Sequence, residues 1–368
     1  MKKIIAFLIA AFALTACSEE IPQFILDSYK LTPDKNFDVN DMKNLNTPPV
    51  SVAVGKKEFK QQYRLNFTDA EAETFKNDFE LPCQNRRSSY WIPDTVYVKD
   101  NVLNVTTQAK TGAEIRSLLE KNLGADWSKT VRDPKDGGGQ NKSIEDSEYW
   151  GVTGAALKKQ GDIYGLYVAR IAMKRKAAGH WMAYWFYGND NSAEGRKLGR
   201  DYEFDMVEYH AMNTSSKKVA TTTHWPIELP GTSKRTSATY DTELSSSVAD
   251  WHTYALLWTP DAVVYYIDWQ PVSYILADGR WKNTALSQAK ISQLKKTHEM
   301  ISPVPLEVHF SNEVGGTSWM TGWAGALDVD QLKKEPDNMM VDWYVHYTTD
   351  DLKKEAKAAG VTYGEYLN

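Results

Sequence analysis

Cysteine is almost missing from the chain: Cys17 and Cys83 are the two among 368 residues. With Cys17 in an N-terminal leader, as read below, Cys83 is left with no partner for an internal disulfide. The fold must then be held by its core. Cys83 also sits in no recognisable nucleophile pattern. Histidine is sparse as well. Its seven copies are scattered, with no H-E-x-x-H pair or cluster, which argues against metal catalysis. Positive charge is in deficit, at a formal net −5. An acidic chain is a poor electrostatic match for nucleic acid, so no nucleic-acid partner is expected. Internal repeats are absent, and no composition shift marks a second domain.

Long apolar runs are lacking too. The one candidate, Ile4 to Leu14, is too short to span a bilayer. Behind Lys2 and Lys3 it reads as a secretory signal peptide, whose removal takes two lysines and brings the charge to −7. It ends Leu14-Thr15-Ala16-Cys17, which resembles a bacterial lipobox. That resemblance implies cleavage before Cys17 and lipidation of Cys17. Ser18 at the next position implies an outer-membrane lipoprotein of the cell envelope. Its partner would be the membrane, through the lipid anchor. Residues 17–53 then read as a tether, with Pro33, Pro48 and Pro49 among many Asn and Asp.

What the chain has in quantity is aromatic residues, with thirteen Trp and twenty Tyr. Their faces suit either a β-core or the apolar faces of sugar rings. From about residue 54 the pattern is β. Trp91 to Thr106 alternates around an Asp100-Asn101 turn. Strands are expected at 163–173, 181–187, 202–210, 219–225, 251–258, 262–267, 306–310 and 339–346. Helical spacing is confined to 111–122, 286–300 and a terminal stretch at 349–360. Residues 111–147 read as an insertion between strands. The expected fold is all-β, a sandwich or barrel rather than alternating β/α units. The domain is expected over 54–348, with a helical tail at 349–368.

The informative segment is Tyr202-Glu203-Phe204-Asp205-Met206-Val207-Glu208-Tyr209. Strand residues two apart share a face, so Glu203 and Asp205 point together. Glu208 is an odd step away and would face the other layer in a regular strand. One β-bulge between Asp205 and Glu208 restores it to the same face. Glu203 and Glu208 would then lie roughly 13 Å apart at Cα. Leaning inward, their carboxyls could approach the ~5–5.5 Å of a retaining glycosidase. Crowded carboxylates push one pKa up, which supplies a protonated acid. The plain alternative is a row of solvated charges, but like charges on one face destabilise a strand.

Glu203-x-Asp205-x-x-Glu208 resembles the E-x-D-x-x-E signature of glycoside hydrolase family 16. Similar stretches accompany it: Tyr164 to Arg170, Gly179 to Trp185 (Met182 replacing a usual Pro), Trp251 to Asp261 with Tyr266-Ile267-Asp268, and Val341 to Val345. The resemblance covers roughly 55–348. It implies a β-jelly-roll sandwich of two antiparallel sheets, a concave cleft and retaining endo-hydrolysis of a β-linked polysaccharide. By position it makes Glu203 the nucleophile, Glu208 the acid/base and Asp205 an assisting group. It puts Trp181, Trp185, His224, Trp225, Trp319 and Trp323 against substrate. Trp258, Trp343 and His252 read as structural. No cofactor is required, although a structural calcium occurs in the family. A monomer is the default expectation.

A β-1,3- or mixed-linkage β-glucan is the first substrate expectation. Departures around the motif, at 193–201 and 221–226, make an algal galactan of the agar or porphyran type the alternative. A non-catalytic glycan-binding lipoprotein is a third reading, and both glutamates being present weighs against it.

Overall fold

The computed structural model describes residues 21–37, 47–133, 143–188, 202–210, 216–228, 235–282, 292, 300–315 and 324–363. The leader with Cys17, most of the 286–300 stretch, and Trp319 and Trp323 lie outside them. Among the described residues no helix is long and apolar enough to cross a membrane.

The strands are β1 (Leu31–Pro33), β2 (Ser51–Val54), β3 (Lys57–Leu65), β4 (Phe79–Glu80), β5 (Gln84–Arg86), β6 (Ser89–Trp91) and β7 (Val96–Lys99). They continue as β8 (Val102–Thr111), β9 (Tyr149–Val152), β10 (Ala155–Lys158), β11 (Gly165–Lys174), β12 (His180–Tyr187), β13 (Glu203–His210) and β14 (Lys218–Glu228). The last are β15 (Arg235–Glu243), β16 (His252–Trp258), β17 (Ala262–Ile267), β18 (Gln270–Leu276), β19 (Trp281–Lys282), β20 (Glu307–Val314) and β21 (Asp337–Thr348). Two antiparallel sheets form a jelly-roll sandwich. The cleft sheet runs β15-β14-β13-β12-β20-β10-β4. The backing sheet runs β1-β2-β3-β21-β11-β16-β17-β18-β19, with β7, β8 and β9 attached through β21.

Alternation builds the core between them. Met182, Tyr184 and Phe186 of β12 and Phe204 and Tyr209 of β13 are buried against Tyr167, Ala169 and Ile171 of β11 and Tyr254 and Leu256 of β16. Trp258 and Trp343 are fully buried. His252 is pinned by Asp268, with Nδ1 to Oδ2 at 2.7 Å. The Asp100-Asn101 turn has positive φ at both residues, the hairpin conformation that these short polar side chains tolerate. The helix of the 111–147 insertion, Gly112–Leu123, starts on a capping box formed by Thr111 and Glu114. It buries Ile115 and Leu119 against Tyr90, Ile92 and Val152. The expected terminal helix is Asp350–Ala358.

The tether expectation needs correction over its described part. Gln23–Tyr29 is a helix, and β1 and β2 join the backing sheet. Ile25, Leu31 and Val52 are buried with Leu257, Val264 and Tyr266 on that sheet's far face. Proline-rich polar text hid a short apolar set that has a surface to cover. Gly55 closes the β2–β3 hairpin with φ +56°, and a Cβ there would lie 2.5 Å from the Ser28 carbonyl oxygen. Only glycine fits that approach.

Candidate active site

The cleft sheet presents its outer face as a cleft of about 600 Å³. Its floor is set by β13. Between Asp205 and Glu208 the register against β14 shifts, and against β12 the shift falls at Tyr184/Trp185. Met206 and Val207 both turn into the core, while Glu203, Asp205 and Glu208 all line the cleft. The extra residue thus does what the odd spacing requires of it.

Register fixes the neighbours. Glu203 lies opposite Tyr187 and His224, Asp205 opposite Trp185 and Thr222, and Glu208 opposite Ala183 and Ala220. Small side chains on both sides of Glu208 leave open space above it. His224 Nε2 stands 3.3 Å from Asp205 Oδ2 and 3.6 Å from Glu203 Oε1. The Thr222 hydroxyl donates to Glu208 Oε2 at 3.3 Å. Burial, reinforced by the charges of Asp205 and Glu203, holds the Glu208 carboxyl well above the usual carboxylate range; His224 and the Thr222 hydrogen bond oppose this. That direction favours the protonated form of Glu208. Cys83 is unsuited to nucleophilic work, because burial pushes its thiol up to about 11.

Trp181 and Trp185 line the cleft, but only 4% and 7% of each is exposed. Trp185 donates through Nε1 to Ser311 Oγ at 2.9 Å and packs edge-on against His309, with ring centres 4.3 Å apart. Trp225 is misplaced by the sequence reading. It is fully buried and donates to the Met300 carbonyl at 3.0 Å. Alternation explains this: with His224 facing the cleft, its strand neighbour must face the core. Glu203, Asp205 and His224 also bring one potential metal-ligand atom each within 4.8 Å of one another. A carboxylate set arranged for proton and nucleophile chemistry has the same appearance.

Sequence reasoning missed Arg86, Arg87, Ser311 and Glu313, all of which line the cleft. Arg86 grips Glu313 with both carboxylate oxygens, at 2.7 and 2.9 Å from Nε. The available signal was a twin arginine in an acidic chain.

The family model for glycosyl hydrolases family 16 matches residues 84–300. No curated protein matches the chain. Among solved structures, an endo-acting O-glycanase of the human gut microbiota, described in connection with mucin breakdown, is 16% identical. It aligns over 81% of this chain and 94% of its own with a TM-score of 0.55. The endo-β-1,3-glucanase of Pyrococcus furiosus is 16% identical over 82% and 98%, with a TM-score of 0.53. The laminarinase catalytic domain of Thermotoga maritima is 18% identical over 79% and 98%, with a TM-score of 0.52. At such identities the likeness is one of fold.

Proposed function

The chain belongs to glycosyl hydrolases family 16, and we propose from this that it cuts a β-linked polysaccharide internally, with retention, using Glu203 and Glu208. The observation that carries the proposal is the bulged β13, which puts three carboxylates on one face of a cleft. Glu208 is the acid. Its protonated carboxyl gives its proton to the glycosidic oxygen as that bond breaks, and Glu203 attacks the anomeric carbon to form a glycosyl ester. Water then attacks the same carbon, Glu208 takes its proton, and the Glu203 ester is released. His224 and Asp205 hold Glu203 in place, and Ala183 and Ala220 leave room for the leaving sugar.

A β-1,3- or mixed-linkage glucan is the first substrate to test, and a galactan the second. The test is reducing-end release from laminarin, lichenan and agar-type galactans, with the anomer of the first product read by NMR. Retention is expected, and Glu208→Gln should lower kcat by about 10²–10⁴-fold. Turnover that survives Glu208→Gln, or a first product of inverted configuration, would reject the assignment. We also propose that Cys17 carries the lipid that holds the enzyme on the outer membrane.

A further inference from the structure

Three consecutive threonines, Thr221, Thr222 and Thr223, precede His224 on β14, and the chemistry proposed above uses none of them. Alternation sends the outer two into the sandwich. Thr221 Oγ1 lies 3.0 Å from Ser273 Oγ of β18, and Thr223 Oγ1 lies 2.6 Å from the Tyr265 hydroxyl of β17. Thr222 is the one of the three that lines the cleft. From the backing sheet, the Tyr265 hydroxyl donates to the Thr222 carbonyl at 2.9 Å. The backbone that carries Thr222 is thus pinned across the sandwich.

Register puts this hydroxyl beside the acid. Thr222 lies opposite Asp205 on one side and Thr239 on the other. Glu208 lies opposite Ala220, two residues back along β14. Even so, the Thr222 hydroxyl is 3.3 Å from Glu208 Oε2. The carboxyl therefore leans along the sheet by one row, in the direction of Glu203. Catalysis needs that lean. The two glutamates start roughly 13 Å apart at Cα, and retaining hydrolysis wants their carboxyls ~5–5.5 Å apart.

The protons of this row can be accounted for. Thr222 Oγ1 lies 3.1 Å from Thr239 Oγ1. A hydroxyl donates once, so with Thr222 donating to Glu208 its oxygen accepts from Thr239. Glu208 Oε2 is then an acceptor whether the carboxyl is charged or neutral. A proton on Oε2 would point at Thr222 and away from a bound sugar. The proton that the acid transfers belongs on Oε1.

We propose that Thr222, backed by Thr239, is the positioning residue of the acid/base: its hydroxyl holds Glu208 Oε2 and leaves Oε1 to exchange the proton. In the first step the Oε1 proton passes to the glycosidic oxygen as that bond breaks. In the second, Oε1 takes a proton from the attacking water. Thr222 keeps its own proton throughout and steadies the carboxylate between the two steps. The inference rests on the proposed function and adds to it a residue that touches the acid rather than the substrate.

Thr222→Val removes the hydroxyl and keeps a β-branched residue on the strand. On a polymer that the parent cuts, kcat should fall about 10–100-fold with KM within about 2-fold, because a misplaced acid slows chemistry without weakening binding. Thr222→Ser should recover most of the rate, and Thr239→Val should lose less than Thr222→Val. Activity of Thr222→Val should also persist to higher pH than the parent's, since the carboxylate has lost a donor. The charged groups facing Glu208 are Glu203 and Asp205 on its own strand, His224 on β14 and Asp241 on β15, while β12 offers Ala183. All of them are unchanged in these variants. An NMR titration of carboxyl-labelled glutamate reads the same upward shift without substrate, with Glu208 identified by the signal that Glu208→Gln lacks. Parent kcat in Thr222→Val, a rise in KM alone, Thr222→Ser as slow as Thr222→Val, or an unmoved Glu208 titration would each overturn the proposal. A shifted titration in a parent that cuts no polymer rejects the catalytic reading and keeps the Thr222 contact, so the two failures are told apart.

Discussion

Glu203 and Glu208 stand on one strand and one face, yet their surroundings differ, and the difference is what chemistry needs. Glu203 has the His224 ring beside it, whereas Glu208 has alanines to either side and two acidic neighbours. A carboxyl raised by burial and like charge is a proton donor at neutral pH. The same displacement has a thermodynamic consequence. An unfolded glutamate titrates near about 4.3, and Glu208 in the folded protein titrates well above the usual range. Between those two values the folded state holds a proton that the unfolded state has released. Folding stability is therefore lost as pH rises through this window. Glu208→Gln has no such proton to lose. Its melting temperature should exceed the parent's by a margin that widens from pH 4 upward and levels off above the folded pKa, while its activity is nearly abolished. In the parent, activity should fall as pH rises through the same folded pKa, because the acid is then spent. A parent and variant with parallel melting temperatures across pH 4–9 would contradict the burial of Glu208.

At the scale of the strand, the bulge decides whether β13 carries a site at all. Removing Val207 would make the spacing from Glu203 to Glu208 even, so regular alternation alone would keep all three carboxylates on the cleft face, with Glu208 still opposite Ala183. What the core loses is the fully buried Val207 side chain, worth about 1.5–3 kcal/mol, so the deletion should lower unfolding free energy by that order in a denaturant titration while hydrolysis stays measurable. Hydrolysis abolished in a folded deletion variant would mean that the bulge itself, and not only the shared face, positions Glu208. This element was legible beforehand because two rules, alternation and odd spacing, conflict at one place. The strands β11, β12, β16, β17 and β21 were legible for a simpler reason: aromatic and β-branched residues alternate along them. Other elements gave no such signal. β15 reads Arg-Thr-Ser-Ala-Thr-Tyr-Asp-Thr-Glu, an edge strand with little apolar content, and β18 contains Pro271. Both are strands because a neighbour's backbone pairs with them. Trp225 was misassigned because its Trp identity was weighed above its position next to His224. Arg86 and Arg87 were overlooked because their importance comes from Glu313, 227 residues away in the sequence, and no local pattern announces that contact.

For the molecule as a whole, the N-terminal segment matters more than its composition suggests. The helix Gln23–Tyr29 and β1 pack on the far face of the backing sheet, while the cleft opens from the other sheet. The Tyr29 carbonyl accepts from the Tyr266 hydroxyl at 2.7 Å, and Phe37 meets Trp269 edge-on at 5.5 Å. Were Cys17 lipidated as proposed, the first packed residues would follow it closely, and the domain would sit with its backing sheet toward the membrane and its cleft toward the polymer. A loose tether and a packed segment make opposite predictions for a chain that begins at residue 47. For a tether, the loss would leave folding stability unchanged. For a packed segment, Ile25 and Leu31 both leave the apolar layer, each worth about 1.5–3 kcal/mol, and Val54 and Phe59 are uncovered as well. The truncated protein should therefore unfold at lower denaturant, with a loss of about 3–6 kcal/mol from those two side chains. Its kcat on a short soluble substrate should change little where it remains folded, since no catalytic contact passes through the backing sheet's far face. An unfolding midpoint equal to the parent's would return the segment to the role of a spacer.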